Sequence, residues 1–179
     1  HVALSKDTKW LYITEPGSSQ VHAYNLSQPT TYTYIASLTT ESEYPPTAIA
    51  TNNDGSILIV GAKSADVGSY INAGEVYVYT RNNGAFTWTQ TLHTNHENSG
   101  AEFGSTVVLD GTGVNLFVGA PGSTDSGYEN GLVERWVLHG TTYQYNQKLS
   151  HPNNEQGLFG TALAPVSYTH LRAHETSLH

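Results

Sequence analysis

The chain has 179 residues, enough for one moderate core, and only 12% of them are charged, at a formal net charge of −8. Seven Lys and Arg cannot build the basic stripe that a phosphate backbone needs, so nucleic acid is excluded as a partner. No Cys is present, which excludes a disulfide framework and thiolate metal sites, and no apolar run approaches the roughly 20 residues of a membrane span.

In chain order the sequence reads as short strands between turn residues. Val2–Ser18 holds two strand candidates and stops at Pro16. Gln20–Leu26 and Tyr32–Thr39 supply two more. Thr47–Ser64 repeats the first pattern, with a tight turn at Asn53-Asp54-Gly55, where Gly provides the positive φ that a hairpin demands. Gly74–Asn82 alternates, with Val76, Val78 and Thr80 on one face and Glu75, Tyr77 and Tyr79 on the other. A turn at Asn82-Asn83-Gly84 leads into Phe86–His93. Glu102–Ser123 writes the hairpin again around Asp110-Gly111, then Gly131–His139 and Thr142–Ser150 follow through His139-Gly140-Thr141. Leu158–Ala164 opens one more copy.

The second strand of each copy, Ile57–Ala62 or Leu116–Ala120, is a continuous apolar run, the signature of a strand covered on both faces. Gly61 and Gly119 stand at matching places, where little bulk would let backbones crowd close to a narrow axis. Four antiparallel strands per repeat predict an all-β fold, a β-propeller fragment of about three blades plus part of a fourth, forming an open arc. The boundaries expected are 1–43, 44–100 and 101–156 for three blades, the first divergent, and 157–165 for the first strand of a further one. A two-layer sandwich is the competing architecture.

Residues 166–179 break every upstream pattern. Val166 to Thr176, "VSYTHLRAHET", resembles the in-frame translation of a transposase adaptor used for shotgun libraries, so 166–179 is expected to be a non-native tail. Its His174-Glu175 spelling places the next His one residue too late for a helical zinc motif. No Met occurs anywhere, which marks the chain as an expected piece of a longer protein.

Phe103-Gly104 followed by Gly119-Ala120-Pro121 resembles the FG-GAP repeat of integrin α-chain propellers, in its bacterial and phage subgroup. Gly61-Ala62 and Phe159-Gly160 carry halves of the same signature; copy two has Tyr44-Pro45 and Lys63 at the Phe-Gly and Pro positions, and copy one has Thr14-Glu15-Pro16. The resemblance implies a closed ring of about seven blades. It also implies a non-enzymatic binding or structural module, extracellular or on a cell or virion surface, presenting loops to a protein or glycan. The rest of the ring would be the remaining blades of the same parent chain. A propeller accessory domain of a larger secreted hydrolase is the alternative.

Some members of that family bind Ca²⁺ in the first hairpin loop, but each loop here carries one carboxylate, Asp7, Asp54 or Asp110, and a hard cation needs several. These read as turn formers, and no cofactor is expected. His93 and His96, followed by Glu97, form a spaced pair without a third ligand fixed by spacing. No catalytic residue is assigned. Asn25-Leu26-Ser27 spells a glycan acceptor, and Tyr32, Tyr34, Tyr77, Tyr79, Tyr143 and Tyr145 read as inter-blade packing residues. An arc whose end faces stay wet is expected to be marginally stable and to self-associate.

Overall fold

Glycine-bearing turns close three successive antiparallel sheets. The computed structural model describes residues 1–40, 44–96, 98–125, 128–151 and 157–164. The 166–179 tail, with its His174-Glu175 spelling, lies outside them, as do Pro165 and Glu97. The first sheet contains β1 (Val2–Leu4), β2 (Trp10–Glu15), β3 (Gln20–Asn25) and β4 (Thr33–Thr39), paired in chain order. The second contains β5 (Ala48–Thr51), β6 (Ile57–Ala62), β7 (Glu75–Asn82) and β8 (Ala85–Leu92). The third contains β9 (Thr106–Leu109), β10 (Asn115–Ala120), β13 (Leu132–His139) and β14 (Thr142–Ser150). A small ribbon, β11 (Thr124–Asp125) with β12 (Tyr128–Glu129), projects between β10 and β13. Phe159 bridges Gly131 in parallel, where the next copy begins. The molecule is an all-β propeller fragment, and no helix among the described residues is long and apolar enough to cross a membrane.

The turns follow their residues, with one exception. Gly55 takes φ +67°, and Asn83 and Gly84 take +50° and +84°, as two-residue hairpin turns require. In the third copy the left-handed glycine is Gly113 at φ +81°, not Gly111. Gly111 instead packs against the Asn53 side chain, whose amide oxygen would lie 2.6 Å from a Cβ placed there.

Alternate residues of each second strand enter different cores. Leu58, Val60 and Ala62 pack with Tyr77 and Tyr79 against Trp10, Tyr12, Val21 and Leu38 of the first sheet. Ile59, Val76 and Val78 pack instead with Phe103, Leu116, Val118 and Trp136 of the third. This is the both-face covering that the apolar runs predicted. Each large side chain buried there contributes roughly 1.5–3 kcal/mol. The register irregularity recurs at one place in every sheet, at Ala23/Tyr24, Val78/Tyr79 and Arg135/Trp136, so the copies are equivalent down to the bulge.

The second strand is not the innermost, as its glycine had suggested. The first strands meet one another, β1 with β5 and β5 with β9, and their turns link through Asp7 N to Asn53 O at 3.1 Å and Asn53 N to Gly111 O at 3.0 Å. Gly61 crowds the next blade: a Cβ on it would lie 2.1 Å from the Gly104 carbonyl oxygen, and one on Gly119 would lie 2.1 Å from that of Gly160. The Phe103-Gly104 and Phe159-Gly160 turns thus each seat on the glycine of the blade before.

Candidate functional site

The loops leaving the second strands and the segments entering the first strands share one end of the arc. There an open cleft of about 430 Å³ is lined by His1, Thr47, Lys63, Glu102, Ser105, Pro121, Leu158 and Thr161. Thr47 and Ser105 immediately precede β5 and β9, and Thr161 stands at the matching place in the next copy, so hydroxyls recur around the mouth. Lys63 occupies the position that Pro121 fills in the third copy. Its Nζ lies 3.2 Å from Glu102 Oε2, and its backbone N–H donates to Thr47 Oγ1 at 3.0 Å. Glu102 holds φ +54°, a left-handed conformation unusual for a residue with a side chain. Its carbonyl accepts a hydrogen bond from Ser105 Oγ at 2.8 Å, and its N–H donates to Asn72 O at 3.1 Å. A carboxylate held at the mouth by a lysine, with a hydroxyl beside it, can accept a proton from a bound water or hydroxyl.

The candidates read from sequence are scattered. Asp7, Asp54 and Asp110 sit in three separate hairpin turns, each engaged locally. Ser5 Oγ donates to Asp7 at 2.6 Å, and this bond chiefly holds its carboxyl below the ordinary range. The Ser56 hydroxyl and N–H do the same for Asp54. Partial burial pushes Asp110 up, but Asn115, Thr112 and the Val114 and Asn115 N–H groups outweigh it and lower its pKa. Among the described residues, no group of three or more His, Asp or Glu converges on one point.

His93 and His96 separate: His93 Nε2 lies 3.0 Å from Glu75 Oε1, and His96 Nδ1 lies 3.1 Å from Glu134 Oε1. Glu134 is fully buried, and it also accepts Thr94 Oγ1 at 2.7 Å, Asn95 N at 3.0 Å and Trp136 Nε1 at 3.1 Å. It fastens the segment leaving β8 to the third sheet. Asn25 ends β3 and accepts the Ser27 N–H at 2.8 Å. Tyr77, Tyr79 and Tyr143 are buried between sheets, whereas Tyr32, Tyr34 and Tyr145 are exposed.

Sequence reasoning missed Thr47, Glu102, Ser105 and Thr161 and recorded Lys63 only as a departure from the repeat. That departure was the available signal. A lysine stands in place of proline where neighbouring blades meet, and Glu102, the acid one residue before the next Phe-Gly, pairs with it.

No protein-family model matches the chain, and no curated protein matches it. Solved structures do. A candidate 6-phosphogluconolactonase from Bacteroides uniformis shares 12% identity at a TM-score of 0.58, covering 82% of this chain and 39% of that one. The periplasmic gluconolactonase of Pseudomonas aeruginosa shares 14% at 0.56, covering 88% and 40%. Saccharomyces cerevisiae Sqt1 shares 10% at 0.54, covering 82% and 34%. Likeness at these identities is likeness of fold, and the chain spans about two-fifths of the length of the lactonase structures.

These findings correct the FG-GAP reading. The structures that the chain resembles include lactonase-type propellers rather than integrin-type ones, and no repeat-family model supports the spelling. The physical reason lies in the glycine contacts. Phe-Gly and Gly-Ala answer a backbone-crowding need between blades, so packing alone accounts for the spelling. The expectations of a non-enzymatic binding module, and of no enzymatic activity, fall with it. Both rested on the integrin-like resemblance, and two of these propellers are described as enzymes. Adhesion and extracellular placement lose the same support.

Proposed function

We propose that the chain is part of an enzymatic propeller that hydrolyses a cyclic ester of a sugar acid, a lactonase, with the cleft at the mouth as its site. The observation that carries the reading is the Lys63–Glu102 pair, placed where the repeat is broken and where Glu102 is held at a left-handed φ. Strain retained at a polar cleft is a common mark of a functional position. The descriptions of the lactonase structures support the choice of reaction. A secreted or periplasmic location accords with the second of them.

Glu102 takes a proton from water as the water oxygen bonds to the lactone carbonyl carbon. Lys63 Nζ stabilises the negative oxygen that develops there. The ring C–O bond then breaks, the departing alkoxide takes the proton, and a hydroxy acid leaves. Thr47, Ser105 and Thr161 hold the hydroxyls of the sugar acid. The remaining blades of the parent chain complete the wall of the cleft.

Titration of gluconate into isotope-labelled protein tests the location. Shifts are expected at Thr47, Lys63, Glu102, Ser105 and Thr161, and binding that leaves all five unmoved overturns the proposal. Glu102→Gln is expected to lower kcat/KM on δ-gluconolactone by roughly 10²–10⁴-fold. Hydrolysis by that variant at the parent rate also refutes it.

A further inference from the structure

The second and third sheets close the loop between their middle strands with the same backbone bonds. Ala65 N donates to Ala62 O at 3.1 Å, Gly74 N to Ala65 O at 2.8 Å, and Phe103 N to Ala73 O at 2.9 Å. The third sheet repeats them with Ser123 N to Ala120 O at 3.1 Å, Gly131 N to Ser123 O at 3.1 Å, and Phe159 N to Asn130 O at 3.1 Å. One scaffold therefore carries Ala65 and Ala73 in the second copy but Ser123 and Asn130 in the third. All four are buried: both alanines have no exposure, and Ser123 and Asn130 are each 1% exposed.

The backbone groups in those bonds are satisfied in both copies, and alanine shows that the loop closes without polar side chains. Yet Ser123 Oγ, Asn130 Oδ1 and Asn130 Nδ2 have no hydrogen-bond partner among the described residues. Burying such groups unpaired is costly, so a partner is required. Its chemistry follows from the atoms. Asn130 Nδ2 needs an acceptor, Asn130 Oδ1 needs a donor, and Ser123 Oγ can serve as either. A bare cation would leave the amide hydrogens unpaired, and an anion would leave Oδ1 unpaired. A small neutral molecule that both donates and accepts meets all three demands, and water is the smallest.

We propose that Ser123 and Asn130 form a binding site for internal water in the third blade, a site that the second blade replaces with alanine. The water accepts from Asn130 Nδ2 and donates to Asn130 Oδ1 or Ser123 Oγ, making the two to four bonds typical of buried water.

A crystal structure of the full chain at high resolution, paired with water relaxation dispersion in solution, tests this. One or two ordered waters within hydrogen-bonding distance of Asn130 and Ser123 are expected, with a matching count of long-lived water. The double variant S123A/N130A copies the alanines of the second blade, so it is expected to fold and to lose those waters from both measurements. Either of two results overturns the proposal: direct bonding of the Asn130 amide to protein atoms or a metal ion, or an unchanged long-lived water count in S123A/N130A.

Discussion

Gly61 has no room for a methyl group. The Gly104 carbonyl oxygen would lie 2.1 Å from it, and that oxygen belongs to backbone, which cannot swing aside. Gly61→Ala is therefore expected to lower stability by about 1–3 kcal/mol in urea unfolding. An alanine tolerated without loss would show that the blades are further apart than described. Tyr12 makes a second prediction. Its hydroxyl is buried and donates to Gly55 O at 2.6 Å, and burial pushes its pKa from 10.0 up to about 12. The unfolded chain ionises first, so the stability this tyrosine contributes is fully present below pH 10 and is lost as pH rises toward 12. Tyr143 is pushed up by the same cause. Tyr12→Phe is expected to flatten part of that alkaline decline, measured as unfolding free energy at about pH 9 and about pH 11. An equally steep decline in the variant would refute the assignment to Tyr12.

At the scale of elements, sheet meets sheet through a few aimed polar contacts set in apolar packing. Between the first two sheets, the Arg81 guanidinium lies 3.9 Å over the Trp10 ring, while Tyr79 Oη donates to Thr39 O at 2.7 Å. Between the second and third, Glu134 takes that role with Thr94, Asn95 and His96. Glu134→Ala leaves those donors buried without their acceptor and is expected to cost about 2–4 kcal/mol. The loss should fall on the interface, so amide hydrogen exchange should quicken at β8 and β13 before β2. Uniform loss of protection across all three sheets would contradict a local role. The alternating strand β7 was legible in sequence because a period of two maps directly onto two faces: Val76 and Val78 went one way, Tyr77 and Tyr79 the other. Glu134 was not legible. Its tyrosine counterpart Tyr77 is apolar in body, and nothing local says that a carboxylate there will meet donors from a segment 40 residues earlier.

The whole molecule is an arc whose two end faces differ from its inner ones. Val2, Leu4, Tyr32 and Tyr34 are exposed on the first sheet, whereas Ile49 and Phe86, at the places of Val2 and Tyr32 in the second, pack against the cluster shared with the first sheet. Apolar sheet faces of this kind drive association. The chain is expected to show concentration-dependent self-association in sedimentation velocity; a single monomeric species across a hundredfold range of concentration would refute this. The cleft belongs to this scale too. Its residues come from the segment entering β5, the loop after β6 and the segment entering β9, and no local window contains both Lys63 and Glu102.

The sequence by itself determined the repeat and the four-strand unit, because alternation and turn chemistry are local properties. It spelled Phe103-Gly104 and Gly119-Ala120-Pro121 clearly, and the glycines of that spelling sit against the backbone of a neighbouring blade. Only the tertiary structure decided that first strands line the axis, that Lys63 faces Glu102, and that Ser123 and Asn130 are both buried. Those facts depend on how one sheet is placed against the next, and that placement is fixed by packing between residues far apart in the chain.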